Sequence, residues 1–139
     1  MRMVLERDPV VVGTGADHLT LSNFTTLASG TPYSIDVAVQ VEGLSARITM
    51  FSNLADTFDD LVQFFAEMAR DWRGWKGSRN YESLEHDLKI QATNNGHVLL
   101  HIGLRSWMNE WAVNASLALD AGEELSQGAL DIAHFLRRP

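Results

Sequence analysis

With 139 residues, 45% hydrophobic and 21% charged, the chain fits one globular domain that can fold without covalent staples. The absence of cysteine excludes disulfides, thiolate catalysis and cysteine-ligated zinc, and it suits a reducing cytoplasm. A net charge of −7 disfavours sequence-blind nucleic-acid binding, which depends on neutralising phosphates, and no apolar run reaches the roughly 18 residues of a membrane span.

Charge within residues 1–8 comes too early for the apolar core of a signal peptide. Residues 1–17 are expected to be an edge strand or flexible. Pro9-Val10-Val11-Val12 is the strand candidate, since proline is tolerated at an edge. Gly13-Thr14-Gly15 completes neither phosphate-loop pattern and reads as a turn. Leu19 and Leu21 alternate with Thr20 and Ser22, giving a short strand, and residues 23–32 look like a loop. The clearest strand follows: Tyr33, Ile35, Val37, Val39 and Val41 alternate with Ser34, Asp36, Ala38 and Gln40. After Glu42-Gly43, Ala46, Ile48 and Met50 continue the alternation, so the two runs form an antiparallel hairpin.

A helix is predicted from Asn53 or Asp56 to about Trp72, with Phe58, Leu61, Val62, Phe65, Met68, Ala69 and Trp72 on one stripe. This places Trp72 in the core and Phe64 off the stripe. Gly74 and Gly77 end the helix, and residues 72–81 read as a loop. A strand over residues 84–93 turns Leu88, Ile90 and Ala92 to one face and Asp87, Lys89 and Gln91 to the other. Asn94-Asn95-Gly96 is a hairpin turn. Val98, Leu100, Ile102 and Leu104 then face inward, with His97, His101 and Arg105 outward. A last strand covers residues 111–119. Asp120, with Glu123 three residues on, starts a second helix striped by Leu125, Ala129, Ile132, Ala133 and Leu136.

The expected fold is therefore α+β: one antiparallel sheet of about five to six strands with two helices packed on one face, in the order β(n)-α-β(3)-α. The other sheet face would be polar, and either open to water or used for binding.

Chemistry is weakly supported. His97 and His101 are separated by about 13 Å along a strand, too far to share a zinc ion. Glu85 and Asp87 lie about 6.6 Å apart on one strand face, a separation that suits acid–base pairs but is usual for solvated carboxylates. No nucleophile elbow is present. The residues suited to contact are Arg73, Trp75, Lys76 and Arg79 in the basic aromatic stretch, and Asp87, Lys89, His97, His101 and Arg105 on the polar face. Around the former, Arg70, Arg73, Lys76 and Arg79 against Asp71 give a local charge of +3 inside a chain of −7. Trp75 equally suits a cap on the sheet edge, with the arginines paired to acids elsewhere, and Trp107 and Trp111, which flank a neighbouring turn, are divided in the same way between core and contact surface.

Four motifs carry a resemblance: D-W-R-G-W-K-G at residues 71–77, S-L-E-H-D-L at 83–88, G-H-V-L-L-H-I-G-L-R at 96–105 and L-D-A-G-E-E-L at 119–125. In this order they resemble a small family of uncharacterised domains common in high-GC Gram-positive bacteria. The resemblance spans residues 54–136. The family usually has Trp where this chain has Tyr81, and Gly where it has His86. It implies a compact α+β domain and no known activity. By analogy of size and acidity the chain is similar to bacterial immunity proteins, which neutralise toxins by surface contact.

These readings lead to a non-enzymatic cytoplasmic binding module acting on a protein partner, with no cofactor, metal, nucleic acid or membrane involved. The alternatives are a small-ligand-binding protein or an unrecognised enzyme using the polar face, and a homo-oligomer in which a second copy covers that face.

Overall fold

The computed structural model describes residues 2–13, 15–53 and 55–137. Strands β1 (Arg2–Val4), β2 (Val10–Val12), β3 (His18–Leu27), β4 (Pro32–Val41) and β5 (Leu44–Phe51) precede helix α1 (Asp59–Arg70). Strands β6 (Trp75–Glu82), β7 (Leu88–Asn94), β8 (Val98–Arg105) and β9 (Ala112–Leu119) lead to helix α2 (Glu123–Arg137). The class is α+β, with every strand pair antiparallel.

The strands divide between two sheets rather than sharing one. The first runs β1-β3-β4-β5, with β2 also pairing β3, and the second runs β6-β7-β8-β9. The second half holds four strands where three were expected, because residues 75–82 form a strand and not a loop. The run Trp-Lys-Gly-Ser-Arg-Asn-Tyr-Glu hides its strand character. It is an edge strand with a register irregularity between Trp75 and Arg79, and only Tyr81 in it is buried.

β3 is also longer than its Leu19/Leu21 signal. Asn23 takes a positive φ of 52° and the pairing shifts between Ser22 and Thr25. With a second shift between Thr25 and Thr26, the alternation breaks and Phe24, Thr25 and Thr26 are buried in succession. Phe24 packs edge-on against Phe58 and Phe135, at 6.4 and 5.8 Å between ring centroids. Val10–Val12 is a strand paired with β3, as its composition suggests. The Gly13-Thr14-Gly15 turn includes Thr14, which lies outside the described residues.

α1 begins at Asp59, later than predicted. Thr57 has a positive φ of 56° and bridges to Asn53, so a tight turn occupies the segment that had looked helical. The expected start also included Leu54, outside the described residues. The helix ends at Arg70, and Trp72 therefore leaves the stripe: it is 44% exposed and not core. Phe64, placed off the stripe by spacing, is buried and its ring lies 5.8 Å from that of Tyr81. In α2 the buried face is Leu125, Gly128, Ala129, Ile132, Phe135 and Leu136. Gly128 lets this helix rest on β2, since a Cβ there would lie 3.2 Å from Val12 Cγ1.

Buried residues of both sheets and both helices form a single hydrophobic cluster. The inner rows of β7 and β8 are as the alternation predicts: Leu88, Ile90 and Ala92 face Leu104, Ile102 and Leu100. The opposite side of this sheet carries its polar residues.

Candidate functional site

The outer face of the second sheet is set by strand register. One row across the four strands reads Asn80–Gln91–His101–Ser116, and the next reads Glu82–Lys89–Gly103–Asn114. Arg105, opposite Ala112, begins the row after that. His101 is held by Ser116, with Nδ1 2.9 Å from Oγ. Lys89 Nζ lies 3.6 Å from the Glu82 carboxylate, which also bonds the His86 ring. These partners hold the Glu82 carboxyl below its ordinary range, His86 contributing most. Two shallow hollows on this face share Lys89, Gly103 and Asn114, the larger being ≈ 610 Å³.

Of the residues expected here, Lys89, His101 and Arg105 share this face, Lys89 lying in a row between the other two. His97 is exposed beyond the end of β8, four residues from His101. Asp87 is a correction, because it does not lie on the open face. β7 starts at Leu88, and residues 83–87 form a turn in which Asp87 is only 8% exposed. Ser83 Oγ bonds the Asp87 carboxylate and accepts the backbone N–H groups of Asp87 and Leu88, at 3.1 and 2.9 Å. Positive φ at His86 closes the turn. Asp87 is thus a structural residue, and its pairing with Glu85 as a catalytic dyad loses its geometry.

The basic aromatic stretch is a braced edge. Arg79 lies over the Trp75 ring at 4.6 Å and bonds Asp71 at 2.7 Å, and Arg70 reaches the same carboxylate at 3.5 Å. This pairing pulls the Asp71 carboxyl below its ordinary value, Arg79 being the larger cause. Trp75 is half-buried, and its Nε1–H donates to Ala92 O at 3.2 Å. Arg73 stacks on Trp72 at 5.1 Å, and Lys76 is exposed. Tyr81, behind this edge, has its hydroxyl pKa raised by burial and by the nearby Asp60 carboxylate. The Asp60 pKa is raised too, chiefly by desolvation.

The four motifs are likewise engaged in structure. Asn94 donates to Trp72 O at 2.8 Å and accepts Gly96 N–H at 3.0 Å, joining the end of α1 to the β7–β8 turn. Gly74 has φ 139°, where a Cβ would meet Asn94 O. Asp120 accepts Gly122 N–H while Glu124, rather than Glu123, reaches back to Asp120 N–H at 2.8 Å. That exchange caps α2.

A second surface was left undecided by sequence. In the β8–β9 turn Trp107 is 76% exposed, Met108 68% and Trp111 40%. Trp107 meets Phe51 of β5 edge-on at 6.3 Å, and Phe51 meets Tyr33 of β4 at 5.3 Å. Arg47, Ile48, Thr49, Phe51, Ser106, Trp107 and Trp111 enclose an open hollow of ≈ 390 Å³ where the two sheets meet. The sequence signal was two tryptophans flanking a turn. What it lacked was β5, which is about 60 residues away and supplies the other wall.

Among the described residues no helix is long and apolar enough to cross a membrane. No curated protein and no solved structure matches the chain. One family profile does, over residues 10–139, so it includes β2–β5, which the motifs did not reach. The chain belongs to the family of unknown function DUF6228.

Proposed function

We propose that this chain is a single-domain, non-enzymatic cytoplasmic binding module that acts by protein–protein contact, in the way of immunity proteins that cover a toxin's surface. The observation that carries this reading is the Phe51–Trp107–Trp111 hollow. Large apolar side chains at 76, 68 and 40% exposure within five residues are costly on a free surface and typical of contact anchors. Arg47 and Ser106 give the hollow a polar rim. Its partner would be a different protein that inserts an apolar side chain between the rings and offers a carboxylate to Arg47.

The test immobilises wild type, a Trp107→Ala/Trp111→Ala variant and a Lys76→Ala variant, and exposes each to native-cell lysate. A protein held by wild type and Lys76→Ala, lost from the double variant, and rebound when purified supports the reading. Equal retention by all three overturns it. So does light scattering in which wild type self-associates and the double variant does not, since a second copy would then be the occupant. A second reading, small-ligand binding on the polar outer face, is favoured by one feature: a glycine at that face's centre.

A further inference from the structure

Gly103 sits in the middle of β8, where a residue without a side chain weakens a strand unless something approaches closely. Its four neighbours on the face are all polar. Lys89 lies opposite on β7 and Asn114 opposite on β9. His101 and Arg105 are two residues away on either side, on the same face by strand alternation. A Cβ at Gly103 would fall 3.2 Å from Asn114 Oδ1 and 3.8 Å from Lys89 Cβ. Glycine therefore leaves a floor of bare backbone ringed by an ammonium, a guanidinium, an amide and an imidazole.

The charge on this ring is opposite to that of the chain. Lys89 and Arg105 are cationic while the whole chain carries −7. The nearest paired carboxylate, Glu82, lies 3.6 Å from Lys89 Nζ across an exposed contact. Such exposed pairs are weak, so Lys89 can exchange Glu82 for a better-placed anion. Lysine supplies a mobile point charge and arginine a planar fork, while the Asn114 amide, whose Oδ1 is the atom nearest the seat, donates its NH2 to an anion once it turns over. Donors of these kinds around a side-chain-free floor suit a tetrahedral or planar oxyanion.

We propose that the Gly103 seat is a binding site for an oxyanion group, a phosphate or carboxylate carried by a small ligand, held by Lys89, Arg105 and Asn114 with His101 at its border. The proposal deepens the small-ligand reading. It is independent of the Trp107 hollow, whose variants leave this seat intact.

The experiment follows backbone amide shifts of the full chain during titration with inorganic phosphate and, separately, citrate, at constant ionic strength. Saturable shifts at Lys89, His101, Gly103, Arg105 and Asn114 are expected. Lys89→Gln and Arg105→Gln should each weaken binding about tenfold, the loss of one charge-assisted hydrogen bond. Gly103→Val should fill the seat and abolish the shifts. If that variant is poorly folded, the Lys89→Gln/Arg105→Gln double variant makes the same test without touching the backbone. Tighter phosphate binding assigns a phosphorylated ligand, and tighter citrate binding a carboxylate. Absence of localised shifts with both anions overturns the proposal, as do shifts that persist in the double variant.

Discussion

Ser83→Ala is a sharp test of the turn that removed Asp87 from the open face. Ser83 Oγ serves the Asp87 carboxylate and two backbone N–H groups, at 3.1 and 2.9 Å for the latter. Alanine keeps the Ser83 N–H to Leu88 O bond of 2.9 Å but removes all three side-chain contacts. A buried polar group left without a partner costs ~1–3 kcal/mol. Water can reach part of this turn, because Leu84, Glu85 and His86 are exposed. The expected loss is therefore about 2–4 kcal/mol, short of the full sum for three groups. For a chain of this size that is roughly 5–15 °C in Tm. Urea unfolding followed by tryptophan fluorescence measures the loss, with Glu85→Ala as an exposed control. A Ser83→Ala loss under about 0.5 kcal/mol, the range of ordinary surface changes, would refute the reasoning and return Asp87 to the candidates for binding.

Two other structural predictions use the same assay. Gly128→Val should cost about 1–3 kcal/mol, because β-branching there drives into Val12, 3.2 Å from the first added carbon; a neutral result would mean that α2 does not rest on β2. Asp71→Asn should lower Tm at neutral pH. The Asp71 pKa is depressed in the fold by Arg79 and Arg70, so its contribution is present above the ordinary value of 3.8 and lost as pH falls below it. Wild type and Asp71→Asn should therefore converge in acid. A gap that stays constant with pH would contradict the ion-pair account.

Over several regular periods, sequence and structure agree. The β4–β5 hairpin and the β7–β8 hairpin with its Asn-Asn-Gly turn follow from spacing, and so do Leu125, Ala129, Ile132 and Leu136 on the buried face of α2, which Gly128 and Phe135 complete while Ala133 is only partly buried. Disagreement arises where a local feature overrides the period. Positive φ at Asn23 and Thr57 moved a strand boundary and a helix start, neither of which alternation can register. β6 is polar because it is an edge, and edges need not alternate. The division into two sheets depends on which strands find each other, and pairing partners leave no mark on a single strand's pattern.

The candidate sites separate in the same way. Lys89, His101 and Arg105 were legible because strand alternation fixes a shared face. Asp87 was misplaced by one turn, since β7 starts at Leu88 and not at residue 84. Trp72 was misassigned by extending a 3.6-residue stripe past Arg70, where the helix stops. Trp75 and Arg79, divided by sequence between capping the sheet edge and contacting a partner, brace one another and the Asp71 carboxylate. The Trp107 hollow required β5 to be brought against the β8–β9 turn, which is tertiary information.

The protein-contact reading is tested most directly by the affinity of the purified partner for wild type and Trp107→Ala, with Tm recorded for both. Trp107 is 76% exposed, so a side chain of about 250 Å² leaves roughly 190 Å² for a partner to cover, worth at most ~5 kcal/mol. Ordering costs reduce this toward the ~2 kcal/mol of a contact anchor. The account predicts binding weakened by about 30-fold or more with Tm unchanged. Unaltered affinity, or a Trp107→Ala protein that loses stability as a core variant does, would contradict it.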